Sequence, residues 1–428
     1  MLLADNVSGI ADSIYTNSTT GAVVSGGNIT NSLSVGATFG ANATNCFTAY
    51  PTDLTGLDRN TWVYTGRQVD GSKVYELRTF VDEIGENAKF GTSVTFTANE
   101  YLITDIDELE RMVEYVGKHG GTTYNVRFVN GTLSLENRYL PTLGVGATRV
   151  VINGTGVSNG LIDRTAAASG FTYAMGDSSI TSIENMGVLL NGGSIFGATN
   201  MALDDGANLQ INNSIIYASA DGAMLLGSIE RATTTNVTMN NVTVDVADDV
   251  NFYSVTSSTF AGAVVNVNIT NMTANGVTAM TGTNRATLNI NTTGLVVNSN
   301  TSGNTTIAAT SNVGTVALGN VSATISGVSN AGGIVNTNSG TVTNITQGTN
   351  GIVNLTITGE NASAIAAENT ETGIISNLDI TANINGTSGS AIAGNNAGTI
   401  TNVNINGSAI NGANSALIAI TNLSLIHI

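Results

Sequence analysis

A chain of 428 residues with 41% hydrophobic but only 5% aromatic and 10% charged residues has material for a core but few rings to fill a wide one. Thirty acidic against 13 basic residues give a formal charge of −17, and after Arg164 only Arg231 and Arg285 are cationic, which argues against a nucleic-acid surface. The single Cys46 excludes an internal disulfide framework, no Cys/His grouping has zinc spacing, and the wealth of β-branched residues with only 2 Pro is the reverse of a disordered composition.

Residues 1–100 hold Trp62, Pro51, Cys46 and many of the aromatics. The opening MLLADNVSGIADS has neither the basic nor the apolar part of a signal peptide, and no stretch is long and apolar enough to span a bilayer. Residues 104–121, TDIDELERMVEYVGKHGG, predict the one helix. Ile106, Leu109, Met112, Val113 and Val116 fall at helical spacing, Thr104 or Asp105 caps the start, and Gly120 and Gly121 end it.

From Thr122 onward only strands and turns are expected, and the chain repeats. SAIAAENTETGIISNLDITANING starts at Ser363, SAIAGNNAGTITNVNINGSAING at Ser390 and SALIAITN at Ser415, steps of 27 and 25 residues. Gly314 and Gly340, each opening Gly-Thr-Val, are 26 apart, and Gly373 and Gly398 in the corresponding place are 25 apart. Looser copies run back through ATLNINTTG, AVVNVNITN, NVTMNNVTV and NLQINNSII. A period in the mid-twenties with alternation of two and no room for a helix predicts an all-β parallel (right-handed) β-helix. Inward Ile, Val, Leu and Ala stack from coil to coil, and Asn and Thr form ladders at the corners. The expected organisation is a capping helix within 101–121 (helical near 104–118) and a main β-helix over 122–422. The helix either caps the open end of that stack or lies against the N-terminal region; its place directly before the first coil-like strands favours the cap.

GGIVNTNSGTVTN and SAIAGNNAGTITNVNINGSAI resemble the GLUG-type repeat, in which a small apolar pair, a polar Asn, Gly-Thr-Ile and Asn lead into a strand that ends in Gly. The resemblance covers 311–422 and, more loosely, 122–310. It implies a β-helical stalk of an adhesin-like or hemagglutinin-like surface protein and supplies no catalytic residues. ITNSLSVG and NTWVYTGRQVDGSKVYELRTF look like the closing part of a preceding domain of this kind, so 1–100 is expected to be the end of an earlier β-rich unit with closing strands. The implied role is structural or adhesive, at the cell surface, with host or microbial glycans or proteins as partners and no cofactor.

The competing class is a β-helical carbohydrate-active enzyme, a lyase or glycoside hydrolase. Its best candidates are the paired carboxylates Asp204 and Asp205 in MALDDGANL, with Arg231 as the nearest cation. Asp-Asp-Gly is also a turn sequence, and that reading is favoured here, as it is for Asp248-Asp249. Exposed Asp pairs of this kind can also hold Ca²⁺ weakly, but the tandem Gly-rich calcium pattern is absent. His119, at the end of the expected helix, has no ligand partner at motif spacing and suits the helix C-terminus. The Asn-x-Ser/Thr sequons at Asn6, Asn17, Asn28, Asn130 and Asn153 arise readily by chance in a chain rich in Asn and Thr. Rows of Thr suit ice binding only on short uniform coils, whereas the units here vary from about 23 to 32 residues. The terminal LSLIHI departs from the repeat and matches one reading frame of a sequencing-library adapter, so 423–428 is expected to be an artefact and His427 no part of a site.

Overall fold

Rows of Ile and Val separated by Asn, Thr and Ser suit a pleated, half-buried strand, but one such strand pair cannot bury its apolar side alone. Stacking many identical turns solves this. The structure, a computed structural model, describes residues 207–422 nearly throughout, most of 180–197, and earlier strands largely as backbone. Residues 104–122, 198–206, 230–233 and 423–428 are among those outside the description. The expected helix and the expected artefact therefore lie outside the described residues. Residues 101–103, placed with the helix from sequence, belong instead to the strand Glu100–Ile103, which pairs in parallel with Thr123–Phe128.

The chain divides into two units, Met1–Lys118 with Tyr124–Asn130, and His119–Thr123 with Gly131–Ile428. In the first, short parallel strands stack in rows: Ile10–Ala11 on Ile29–Thr30 on Ala43–Thr44, and Ile14–Thr16 on Leu33–Val35 on Phe47–Tyr50. The antiparallel hairpin Trp62–Val69 and Ser72–Leu77 adds to the edge of Phe47–Tyr50.

The second unit is all-β among its described residues, a parallel β-solenoid of about 8 turns. One sheet runs through Ala207–Ala218, Thr234–Val246, Val264–Asn275, Thr287–Asn298, Thr315–Ser329, Gly351–Glu360 and Ile374–Asn385. A second runs through Phe252–Ser258, Ala279–Asn284, Ala309–Asn312, Val335–Asn338, Ala366–Asn369 and Ala393–Asn396. Register keeps like on like. Ile216, Val244, Ala274, Val297, Ile325, Ile357 and Ile384 form one inward column, which continues back through Val188, Ile162 and Leu133. All of them are buried, and each Ile or Val contributes roughly 1.5–3 kcal/mol. The second sheet turns smaller residues inward at the matching place: Thr281, Ala309, Val335, Ala366 and Ala393.

The long strands of the first sheet are not straight. In Thr234–Val246 the inward residues are Thr235, Val237 and Met239, then Val242, Val244 and Val246, so Asn240 and Asn241 both face outward. The break is a corner at Asn241, whose φ is 52°; Asn213 and Asn271 do the same on the coils before and after, at 48° and 53°. Asn tolerates this left-handed conformation better than other non-Gly residues, because its short side chain can bond locally. Here it bonds the coil before: Asn241 Nδ2 donates to Asn213 Oδ1 at 3.0 Å, and Asn271 Nδ2 to Asn241 Oδ1 at 3.2 Å.

The second sheet ends in a different Asn row, fully buried. Asn284 donates to Asn312 (2.9 Å), Asn312 to Asn338 (2.8 Å), Asn338 to Asn369 (2.8 Å) and Asn369 to Asn396 (2.7 Å), each Nδ2 to the next Oδ1. The first three also donate to main-chain carbonyls, of Thr315, Thr341 and Ile374 respectively, at 3.1–3.2 Å. The hydroxyl of Thr259 donates to Asn284 Oδ1 at 2.9 Å and begins the row. Just beyond it stand Gly314, Gly340, Gly373 and Gly398. A Cβ on Gly340 would enter the carbonyl oxygen of Gly314, and one on Gly398 that of Gly373. The Asn-x-Gly-Thr pattern is thus a buried amide followed by a turn too closely stacked for any side chain.

One repeat boundary differs from its sequence reading. Ser363 does pair with Ser390, but Ser390 pairs with Ala416, one residue beyond Ser415. The register of the next strand agrees: Ala393 pairs with Ala419, and Asn396 with Asn422. A slip of one residue would turn that whole side outward.

Asn338→Ala removes one buried amide and strands the donor of Asn312 and the acceptors of Asn369 and Ile374, so it is expected to destabilise by about 3 kcal/mol, read as a lower urea midpoint. Gly340→Ala is expected to cost about 2–3 kcal/mol by overpacking. Gly348→Ala, where φ is +82° but no atom lies within 4 Å of the added Cβ, should cost only about 1 kcal/mol by the same measurement.

Candidate functional site

Asp204, Asp205 and Arg231 lie outside the described residues, as do His119 and His427. Asp248 and Asp249 form an exposed turn after Thr234–Val246, with Asp249 at φ 59° and Val250 N donating to the Ala247 carbonyl at 3.3 Å. Among the described residues no group of three or more His, Cys, Asp or Glu is placed to hold a metal ion.

Among the described residues a concave feature lies elsewhere, on the outer side of the first sheet beyond the Asn corner. Four successive strands build it: Thr287–Asn298, Thr315–Ser329, Gly351–Glu360 and Ile374–Asn385. Alternation sends Leu295, Ala323 and Leu355 inward and their neighbours outward. Register then aligns two outward columns. One is Ser322, Asn354 and Thr381; the other is Val296, Thr324, Thr356 and Asn383. They enclose a shallow depression of about 200 Å³. Gly294 borders it where earlier coils carry Asn241 and Asn271. Its φ is +68°, and a Cβ there would lie 2.7 Å from Asn271 Oδ1. The corner row is interrupted at Gly294, which puts no side chain beside the depression; left-handed Asn corners return at Asn377 and Asn402, where Asn402 Nδ2 donates to Asn377 Oδ1 at 2.8 Å.

The lining differs from its surroundings in hydrogen bonding. On the neighbouring outward column Asn275 donates to Asp245 (2.6 Å), Asn298 to Asn275 (2.8 Å) and Ser326 to Asn298 (2.6 Å). On the preceding face Asn236, Asn266 and Asn289 form another chain, which starts at Asn208. By contrast, the side chains of Ser322, Thr324, Asn354, Thr356, Thr381 and Asn383 bond to no protein group. Four hydroxyls and two carboxamides face solvent together, each able both to donate and to accept. No titratable side chain lines the depression. Such a surface can match an uncharged polar ligand.

Sequence reading missed these six, because Thr, Ser and Asn are everywhere in the chain and an acid pair is what attracts attention. Their grouping shows only once the register aligns Thr324, Thr356 and Asn383 on successive coils. Among the described residues no helix is long and apolar enough to cross a membrane. No protein-family model, curated protein or solved structure matches the chain.

Because the lining makes no internal bonds, Asn354→Ala and Thr356→Val are expected to change stability by less than about 0.5 kcal/mol. Asn298→Ala, which breaks two ladder bonds on the next column, is expected to cost about 1 kcal/mol. Urea midpoints of the three variants check the contrast.

Proposed function

We propose that the chain is a structural and adhesive segment of a larger secreted surface protein, a rigid solenoid that presents a neutral face to glycans, matrix or other cells. The observation that carries this reading is the contrast on one face. The asparagines of the neighbouring outward columns bond one another in ladders, while the six polar side chains around the depression are left for a partner. Long stacks of like residues favour a stiff rod, because each coil is stabilised by its neighbours on both sides. The likeness of 311–422 to GLUG-type repeats points the same way. So does the composition, whose low charge suits hydrogen bonding to uncharged partners over ion pairing.

The test is adhesion of the full chain, immobilised on inert beads, to mucin, matrix proteins and intact cells. Retention above that of beads bearing an unrelated acidic protein is expected on at least one of these. No retention on any surface would reduce the role to a spacer. Cleavage of a polysaccharide that is lost on Asp205→Ala would establish the carbohydrate-active reading instead.

A further inference from the structure

We propose that the depression over Thr287–Asn298, Thr315–Ser329, Gly351–Glu360 and Ile374–Asn385 binds a neutral, hydroxyl-rich glycan laid along the solenoid axis. This rests on the adhesive reading and names the ligand class of the same site. The argument begins with unspent hydrogen-bonding capacity. Thr324, Thr356, Ser322, Asn354 and Asn383 point into one concavity, and none has a protein partner. A sugar hydroxyl, like the Thr hydroxyl, is donor and acceptor at once, so each bond to water can be exchanged for one to the site without stranding either group.

Charge narrows the class. No cation lines the depression to pair a sulfate, phosphate or uronate, and no carboxylate lines it to pair an amine. Among the residues named, the only apolar outward side chain is Val296, too little to seat an apolar helix. Repeat geometry sets the direction. Strands lie about 4.8 Å apart, so the three that carry hydroxyls (Ser322 and Thr324, Thr356, Thr381) offer them over about 10 Å, the length of about two pyranose units. The Val296, Thr324, Thr356 column continues back on the same face through Thr273 and Thr243 to the exposed Ile215, beside which Tyr217 is also exposed. A longer chain would therefore meet hydroxyls first and an aromatic ring at the far end.

The experiment is affinity electrophoresis of the full chain through gels that contain xylan, galactomannan or a mixed-linkage β-glucan, with polygalacturonate as the anionic counterpart. Retardation by at least one neutral polymer is expected, unchanged between about 0.05 and 1 M NaCl because no charges are involved. Polygalacturonate should not retard the chain. The triple variant Thr324→Val, Asn354→Ala, Thr356→Val should weaken binding about tenfold or more, with an unchanged circular dichroism spectrum and urea midpoint. Thr337→Val, on an outward column of the second sheet, should leave binding intact.

The proposal is overturned if no neutral polymer retards the chain, if salt abolishes the retardation, or if the triple variant binds as the parent does. Should the chain still adhere to matrix proteins or cells while ignoring every neutral polymer, the glycan site falls and the adhesive reading stands. Loss of both brings down both.

Discussion

A narrow tube of parallel strands has one place where burial and polarity conflict, the turn at which the chain leaves the second sheet. Main-chain carbonyls must be satisfied there without water. The buried row from Asn284 to Asn396 resolves the conflict. Each amide reaches the next amide, and the first three also reach a main-chain carbonyl of the next coil. Much else follows from that bond. Amides that touch one another fix the register between coils. A turn held so tightly requires glycine beside it at positions 314, 340, 373 and 398. The second sheet has small inward residues, Ala309, Ala366 and Ala393, which suit a narrow coil.

The same chemistry, moved outward, gives the surface its character. Exposed Asn columns bond along the axis and so present a face already satisfied, with little to offer a partner. The hydroxyls of Ser322, Thr324, Thr356 and Thr381 bond no neighbouring coil, and their groups stay open. The proposed binding face is thus a local failure of laddering. The depression lies where Gly294 takes the corner place of Asn241 and Asn271 and the outward column reads Val296, Thr324 and Thr356.

The period, the β-only content and the stacking of Ile on Val were legible in the sequence, because they are one-dimensional regularities. The glycine column was legible too, since a repeated Gly-Thr-Val or Gly-Thr-Ile marks a repeated turn. What composition hid was the division of labour among asparagines. Asn338 is buried, Asn241 turns a corner and Asn236 lies on an outer column, yet all three stand among the same Thr, Val and Asn neighbours. A strict alternation of two also misplaces the residues after each corner, because Asn240 and Asn241 face outward in succession. The Ser415 boundary failed for a related reason: serine was the visible marker, but the pairing falls on Ala416, Ala419 and Asn422. The six side chains of the depression could not be seen at all, since their grouping exists only across coils.

The two kinds of asparagine row point in opposite senses. In the buried row each amide donates toward the following coil, and its second bond to a carbonyl allows no other orientation. In the outer rows most amides donate toward the preceding coil. Carboxylates that can only accept set this sense at Glu184 under Asn212 and Asp245 under Asn275, whereas Asp379 accepts both from Asn404 and from Asn350 on the coil before. Side-chain dipoles along the rod therefore oppose one another, unlike the peptide dipoles of a helix, which add. A solenoid of this design can lengthen coil by coil without charging its two ends against each other.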